Sequence, residues 1–347
     1  MKVNFFQPDI RPYRGSFFHK LSKLHNLDCT IYHGKPINDP MVTPAYQAVH
    51  LPSRKLLNIN FQFTPPALYA NVDLNIAGLD FHWPEPLIAS LLFRKSAPFL
   101  FWGHGFGRSS IANKLKIKLI NRSRGIILYS PSQAAKLKSN GVCASKIFVA
   151  QNSIDVPNFE NYSSATKDRF LYVGRLQERK RLHVLIDAFH KYRCQGGSFT
   201  LTILGDGNIS EQLSAHVERL GLEPYTKFQR GTACHTYLAS LFSKAAAYVS
   251  PGDIGLGLIH ALAYGVPTVT LAGMHHGPEI SLLQHNHNGL LVTSEEQLVT
   301  SLHTLENDET YRKRLGNAAF LTYSNEASSD IMVASFWKAI TSALSKR

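Results

Sequence analysis

Two stretches of this 347-residue chain hold residue types suited to gripping a phosphate and a sugar. In the first, an apolar run over residues 170–173 passes into Gly174-Arg175-Leu176 and then into a basic stretch containing Lys180. A glycine at such a turn lets the backbone come close to an oxyanion, an arginine fork matches two phosphate oxygens, and a lysine adds a point charge. A helix opening just beyond would supply free amides to the same anion. In the second, Ser250-Pro251-Gly252-Asp253-Ile254-Gly255-Leu256-Gly257-Leu258-Ile259-His260, the glycines permit a tight loop whose amides face a ligand. The helix behind it points its positive end at negative charge.

The N-terminal half offers fewer such groups. His104 lies between Gly103 and Gly105 at the end of an apolar run, where an open α/β sheet binds its ligands. Arg14 and Gly15 sit in the loop after the first apolar run, and the glycine allows close approach. Residues 108–124 interleave Lys114, Lys116, Lys118, Arg122 and Arg124 with Ile111, Leu115, Ile117, Leu119 and Ile120. That pattern fits either an anionic membrane surface or a solvated helix packed on its sheet.

Composition narrows the classes. With 44% hydrophobic and 18% charged residues, 20 Phe and 14 Tyr, the chain reads as globular rather than disordered. Lys and Arg total 37 against 24 Asp and Glu, a net charge of +13 that attracts phosphates of any origin. No nucleic-acid module accompanies that charge, so no nucleic-acid partner is expected. Cys29, Cys143, Cys194 and Cys234 are scattered, which suggests neither a zinc site nor a disulfide framework. No Asp-x-Asp pair occurs, so no metal requirement and no cofactor is expected. No run reaches the ~18 apolar residues that span a bilayer, and the first apolar run breaks at Pro8, too early for a signal peptide. A cytoplasmic protein, at most peripheral on the inner face of a membrane, is the expectation.

The elements that must hold these residues alternate between β-rich and amphipathic runs, as parallel sheets with helical crossovers require. Buried strands are expected at 2–7, 29–33, 74–77, 99–103, 125–129 and 147–150, and again at 169–173, 199–204, 247–250, 268–271 and 289–292. Residues 157–168, polar and without periodicity, read as a linker. The length supports two domains, drawn at 1–160 and 161–327. The stretch 328–347 carries a helical apolar stripe through Met332, Phe336 and Ile340 that needs a surface to cover.

The ordered set of blocks resembles the family 4 glycosyltransferases of GT-B fold. Gly174-Arg175-Leu176 with Lys180, then Gly205-Asp206-Gly207, Gly231, and residues 250–267 fall in the family's order. Upstream, Ser130-Pro131-Ser132 and residues 146–155 resemble the family's end of the N-terminal domain. The resemblance implies an α/β fold of two doubly wound Rossmann-like domains facing across a cleft, with the last helix packing back on the first domain. It implies a nucleotide diphosphate sugar as donor, bound by Gly174, Arg175, Lys180, Gly205, Asp253, Gly255, Leu256, Gly257, Leu258 and His260. His104, Arg175 and Lys180 would serve the chemistry, with Arg14 and Gly15 on the acceptor side.

One departure stands out. The family's glutamate-x7-glutamate pair falls on Gly252, beside Asp253, and on His260. An imidazole substitutes for a carboxylate as a ribose hydrogen-bond partner, and Asp253 would approach the donor sugar. Equally, His260 suits a helix interior and Asp253 a turn. Glu279 matches a further family glutamate, which either meets the donor or holds its loop. The expected reaction is transfer of a sugar, with retention, to a saccharide or lipid-linked saccharide in cell-surface polysaccharide or lipopolysaccharide synthesis. A catalytically silent GT-B-like partner subunit and a sugar-nucleotide epimerase are the alternatives.

Overall fold

A computed structural model describes residues 1–23, 27–34, 46–93, 97–107, 109–156 and 166–345. Most of the 157–168 stretch read as a linker, and Arg108 at the head of the basic stretch, lie outside the described residues. The chain divides into two units, Met1–Asp155 with Ser329–Arg347, and Val156–Ser328.

The N-terminal unit is built on a parallel sheet. In chain order its strands are β1 (Lys2–Gln7), β2 (Asp28–His33), β3 (Gln47–His50), the antiparallel hairpin β4 (Ser53–Leu56) and β5 (Ile59–Gln62), β6 (Leu74–Gly78), β7 (Phe99–Trp102), β8 (Gly125–Leu128) and β9 (Ile147–Val149). Spatially the seven-stranded sheet runs β3-β2-β1-β6-β7-β8-β9, and the hairpin stands apart from it. Helices α1 (Gly15–Lys23), α2 (Pro84–Leu92), α3 (Ser110–Arg122) and α4 (Pro131–Ser139) are the crossovers, and α11 (Ser329–Ser345) closes the unit.

Side-chain alternation explains why such apolar strands form here. Along β7, Leu100 and Trp102 join a cluster with Phe17, Phe18 and α11 residues Met332, Phe336 and Ile340. Phe101 joins the opposite cluster with Leu87 of α2, Ile120 of α3 and Leu137 of α4. A strand covered on both faces has no position for a polar side chain, so it reads as a continuous apolar run. The stripe of the last helix finds its surface in this unit, where Phe336 meets Phe17 at 4.7 Å and Trp102 at 4.8 Å between ring centres.

The C-terminal unit repeats the plan. Strands β10 (Arg169–Val173), β11 (Thr200–Leu204), β12 (Thr226–Gln229), β13 (Ala245–Val249), β14 (Thr268–Leu271) and β15 (Gly289–Val292) are all parallel, in the order β12-β11-β10-β13-β14-β15. Helices α5 (Leu182–Cys194), α6 (Ser210–Arg219), α7 (His235–Ser243), α8 (Leu256–Ala263), α9 (Glu295–Asn307) and α10 (Glu309–Thr322) surround it, with α5 against α9 and α8 against α10. The strand order reverses at β10, so the chain leaves neighbouring strands in opposite directions and opens a crevice at their carboxyl ends.

Candidate functional site

Beside that crevice, at the carboxyl ends of β10, β11 and β12, a cavity of about 500 Å³ is lined by Val173, Gly174, Arg175, Gln177, Leu204, Gly205, Asp206, Gly207, Gly231 and Thr232. Its floor is three loops laced by backbone bonds. Gly174 N–H donates to the Leu204 carbonyl at 3.0 Å, Leu176 N–H to Asp206 at 2.9 Å, and Gly205 N–H to Gln229 at 2.9 Å. The lacing works only because side chains are absent. A Cβ on Gly205 would fall on the Gly174 carbonyl oxygen, and one on Gly207 would fall on the carbonyl of Leu176. Gly205 and Gly174 also hold φ values of 156° and 157°, which L side chains rarely adopt. Asp206 closes the rim by accepting from Gly231 N–H at 3.0 Å.

The cations meet this pocket differently. Arg175 lines it, is exposed, and makes no side-chain hydrogen bond or ion pair with another described residue. Its backbone is held instead, the carbonyl accepting from Tyr172 Oη at 2.9 Å. Lys180 sits beside the 252–253 loop and gives its ammonium to the Asp253 carbonyl oxygen. Burial dominates at Lys180 and pulls its pKa below the ordinary lysine value, against the attraction of Asp253. Asp253 does not present a free carboxylate, since Arg179 pairs with it. Backbone bonds from Gly252 N–H to Lys180 at 3.1 Å and from Asp253 N–H to Arg179 at 2.9 Å fasten the same two segments.

The second block forms the loop and first turn of α8. Gly255 caps that helix with no side-chain bond, and no acidic residue occupies the first turn. A Cβ on Gly257 would lie 2.9 Å from the Val173 carbonyl oxygen, so the α8 terminus abuts a wall of the pocket. Leu256 is half-buried and Leu258 fully buried, so Leu258 anchors the turn in the core. His276 fixes the approach, accepting from Ile254 N–H at 3.2 Å through Nδ1 while Nε2 donates to the Leu271 carbonyl at 2.9 Å. Both imidazole nitrogens are thereby assigned and the ring is neutral. Glu279 is buried nearby, and a Cβ on Gly277 would lie 2.6 Å from its Oε2.

His260 lies one turn further along α8 and does not line the cavity. It stacks with Phe242 at 6.2 Å and Tyr264 at 6.4 Å between ring centres, and its Nδ1 is sealed without a hydrogen-bond partner. Burial, with help from the neighbouring His235, pulls its pKa down to about 4. The imidazole is therefore neutral at physiological pH.

In the N-terminal unit, His104 and Arg14 come together at the carboxyl edge of β1, β7 and β8. His104 is exposed, its ring 5.1 Å from that of Tyr129, and Nδ1 accepts from Gln133 Nε2 at 3.2 Å in the tautomer that leaves a proton on Nε2. Partial desolvation by the surrounding protein, then the charges of Lys116 and Arg14, hold its pKa below the usual histidine value even though part of the residue meets solvent. Gly15 starts α1, and a Cβ there would meet only Tyr46 Oη at 4.0 Å, an ordinary contact.

Of the donor residues expected from sequence, Gly174, Arg175 and Gly205 line one pocket, while Lys180 and Asp253 meet each other beside it. Gly255 to His260 follow on the adjoining helix. Gln177, Asp206 and Thr232 line the pocket without having been singled out as contacts; the glycine beside each of the last two was the available signal.

Two doubly wound parallel-sheet units, one with a glycine-walled pocket at the carboxyl ends of its strands, define the α/β architecture of GT-B glycosyltransferases. Within it, residues 157–322 match the family of glycosyl transferases group 1. The amylovoran biosynthesis glycosyltransferase AmsK of Erwinia amylovora is 33% identical over 171 residues, covering 45% of this chain and 40% of AmsK. The matched segments span about half the length of the curated relatives, or less. Among solved structures, HepE from Anabaena in complex with UDP has a TM-score of 0.77 at 19% identity, covering 99% of this chain and 100% of that one. The apo form of the lipopolysaccharide outer core galactosyltransferase WaaB has a TM-score of 0.72 at 19% identity, covering 99% of each chain.

Proposed function

We propose that this chain is a glycosyltransferase that moves a sugar from a nucleotide diphosphate sugar to a saccharide or lipid-linked saccharide acceptor, with retention of anomeric configuration, in cell-surface polysaccharide or lipopolysaccharide synthesis. The observation that carries the reading is the unpaired Arg175 in a pocket whose walls are backbone, inside the segment that matches the family. A diphosphate leaving group accumulates negative charge as the glycosidic bond breaks. A guanidinium and a preset row of amides stabilise that charge with little reorganisation.

Each part then has a task. Gly174, Gly205 and Gly207 keep the pocket floor clear of side chains, the start of α8 offers main-chain donors, and Arg175 forks two diphosphate oxygens. Lys180 acts mainly through its field and by holding the Asp253 loop, since its ammonium already has a carbonyl partner. The first turn of α8, with Gly255 and Gly257, faces the donor, and His260 takes the ribose side. Retention is assigned to front-side attack, in which the departing phosphate accepts the acceptor proton and no protein base is required. His104, neutral and with Nε2–H to donate, is assigned to the transferred sugar. The exposed face of α3, with Ile111 at 72% and Leu115 at 47% exposure beside Lys114, Lys118 and Arg122, is assigned to anionic membrane lipid. AmsK's role in amylovoran synthesis supports the choice of a polysaccharide pathway.

The test is a transfer assay with the full chain, nucleotide sugars and a panel of saccharide and polyprenyl-linked acceptors, read by proton NMR of the product. An α-linked donor giving an α-linked product is expected. A β-linked product would overturn retention, and donor binding without turnover on every acceptor would favour the silent-subunit reading.

A further inference from the structure

The N-terminal unit contains a cation whose countercharge is missing. Arg14 lies between β1 and α1, half-buried, with its guanidinium stacked 4.3 Å above the ring centre of Trp102. Its hydrogen bonds go to neutral groups, the amide oxygen of Gln7 at 3.2 Å and the hydroxyl of Tyr129 at 2.8 Å. Nε is sealed from solvent and has no partner, and no carboxylate pairs with this side chain among the described residues. A guanidinium carries five N–H donors, so these bonds, with the neighbouring Tyr13, leave part of its capacity unused.

Removing a cation from water without a counter-ion is costly, and at Lys20 in the same unit the cost is met. Lys20 has both Asp155 and Asp330, at 3.0 and 2.9 Å. Arg14 is treated otherwise, and its surroundings reinforce the positive field. It leads directly into α1, whose first turn contains no acidic residue. A 3-10 turn, Pro12–Arg14, runs into this helix, whose macrodipole favours an anion at its start. His104, at the same edge, reaches the same Tyr129, and its pKa is held below the usual histidine value.

The geometry points to an oxyanion site at Arg14 and the start of α1 that takes a phosphoryl group carried by the acceptor. The inference rests on the glycosyltransferase reading for the word acceptor, while the anion site itself stands on Arg14. In the proposed function the donor diphosphate has its own cation, Arg175, and Arg14 would take a second anion. An acceptor with a phosphate next to its sugar, as in a lipid-linked saccharide, brings that anion.

Inorganic phosphate is the probe, titrated at constant ionic strength into the full chain carrying Arg175→Ala and Lys180→Ala, with tryptophan fluorescence reporting on Trp102 beneath the guanidinium. Phosphate is expected to bind this form. Adding Arg14→Gln should weaken binding at least tenfold, and Arg14→Lys in its place should recover part of it, which separates lost charge from lost packing. In the otherwise native chain, Arg14→Gln should leave UDP affinity within twofold. Phosphate affinity unchanged by Arg14→Gln would overturn the site. A loss of UDP affinity as large as the loss of phosphate affinity would overturn the acceptor assignment and give the cation to the donor. If UDP fails to bind the native chain while phosphate binding still depends on Arg14, the anion site holds and the glycosyltransferase reading fails.

Discussion

Single residues divide into those whose role is written in their spacing and those whose role depends on neighbours. Gly174 and Arg175 stand out as a glycine and a cation at a strand end, Gly205 through the family resemblance, and the three line one pocket. His260 was only half legible. Its place on α8 follows from the sequence, but its stacking with Phe242 depends on α7, 18 residues upstream. The consequence is a pH dependence with a defined sign. An unfolded histidine titrates near ~6.5, and burial takes His260 down to about 4. A group depressed on folding contributes stability that is present above the unfolded value and is lost as pH falls from there toward the folded one. The melting temperature of His260→Gln should therefore fall less than that of the native chain between pH 7.5 and 5. Equal falls would contradict a buried neutral imidazole. The same substitution should weaken binding of a nucleoside diphosphate if the ribose side is at His260, and unchanged affinity would reject that assignment.

Elements were legible where both faces are buried. The strands at 2–7, 169–173, 268–271 and 289–292 match β1, β10, β14 and β15 to the residue, because apolar runs bounded by polar or glycine residues have one reading. The strands not foreseen from composition are β3, β4, β5 and β12. Gln47–His50 and Thr226–Gln229 are edge strands, half in solvent, so their mixed polarity hides them. Ser53–Leu56 and Ile59–Gln62 pair only with each other, and nearly every side chain in them is at least partly exposed. The close approach of the pocket loops was equally hidden, since it joins residues 30 positions apart. It gives a sharp prediction. Gly205→Ala places a methyl on the Gly174 carbonyl and forces L geometry at φ 156°, so it should cost about 2 kcal/mol or more and abolish nucleotide binding. Gly107→Ala, with nothing within 4 Å and an ordinary φ, is the neutral control. Native-like binding and melting in Gly205→Ala would show that the loops are not held as described.

At the scale of the whole molecule, the chain leaves the N-terminal unit after Asp155 and returns at Ser329, and both points are tied to α1. Asp155 accepts from Ser16 at 2.5 Å, Lys20 at 3.0 Å and Ser329 at 2.8 Å. Burial pushes its carboxyl up, yet these three partners outweigh it and hold the pKa below the usual value. The stabilisation is thus present above an unfolded pKa of about 3.9 and lost as pH falls below it. Because the group is 40% exposed, Asp155→Asn should cost only about 1 kcal/mol, or about 2–4 °C, after allowance for solvent screening. A larger loss on heating at pH 3 than at pH 7 would contradict the sign.

The net charge of +13 and the exposed face of α3 belong to this scale too. No helix among the described residues is long and apolar enough to cross a membrane. Flotation with anionic liposomes should therefore carry the chain in low salt, and Lys114→Glu with Lys118→Glu should release it. No flotation of the native chain would remove membrane association.

The central claim is that the C-terminal unit binds a nucleotide diphosphate through Arg175. The direct measurement is the melting temperature of the full chain with UDP, GDP, ADP and their sugars, beside the same series in Arg175→Ala. A ligand that binds only the folded state at ~100 times its dissociation constant adds about 2.7 kcal/mol. One base family raising the melting temperature of the native chain, with that rise absent in Arg175→Ala, is the predicted result. No rise with any nucleotide, or an equal rise in both forms, would contradict it.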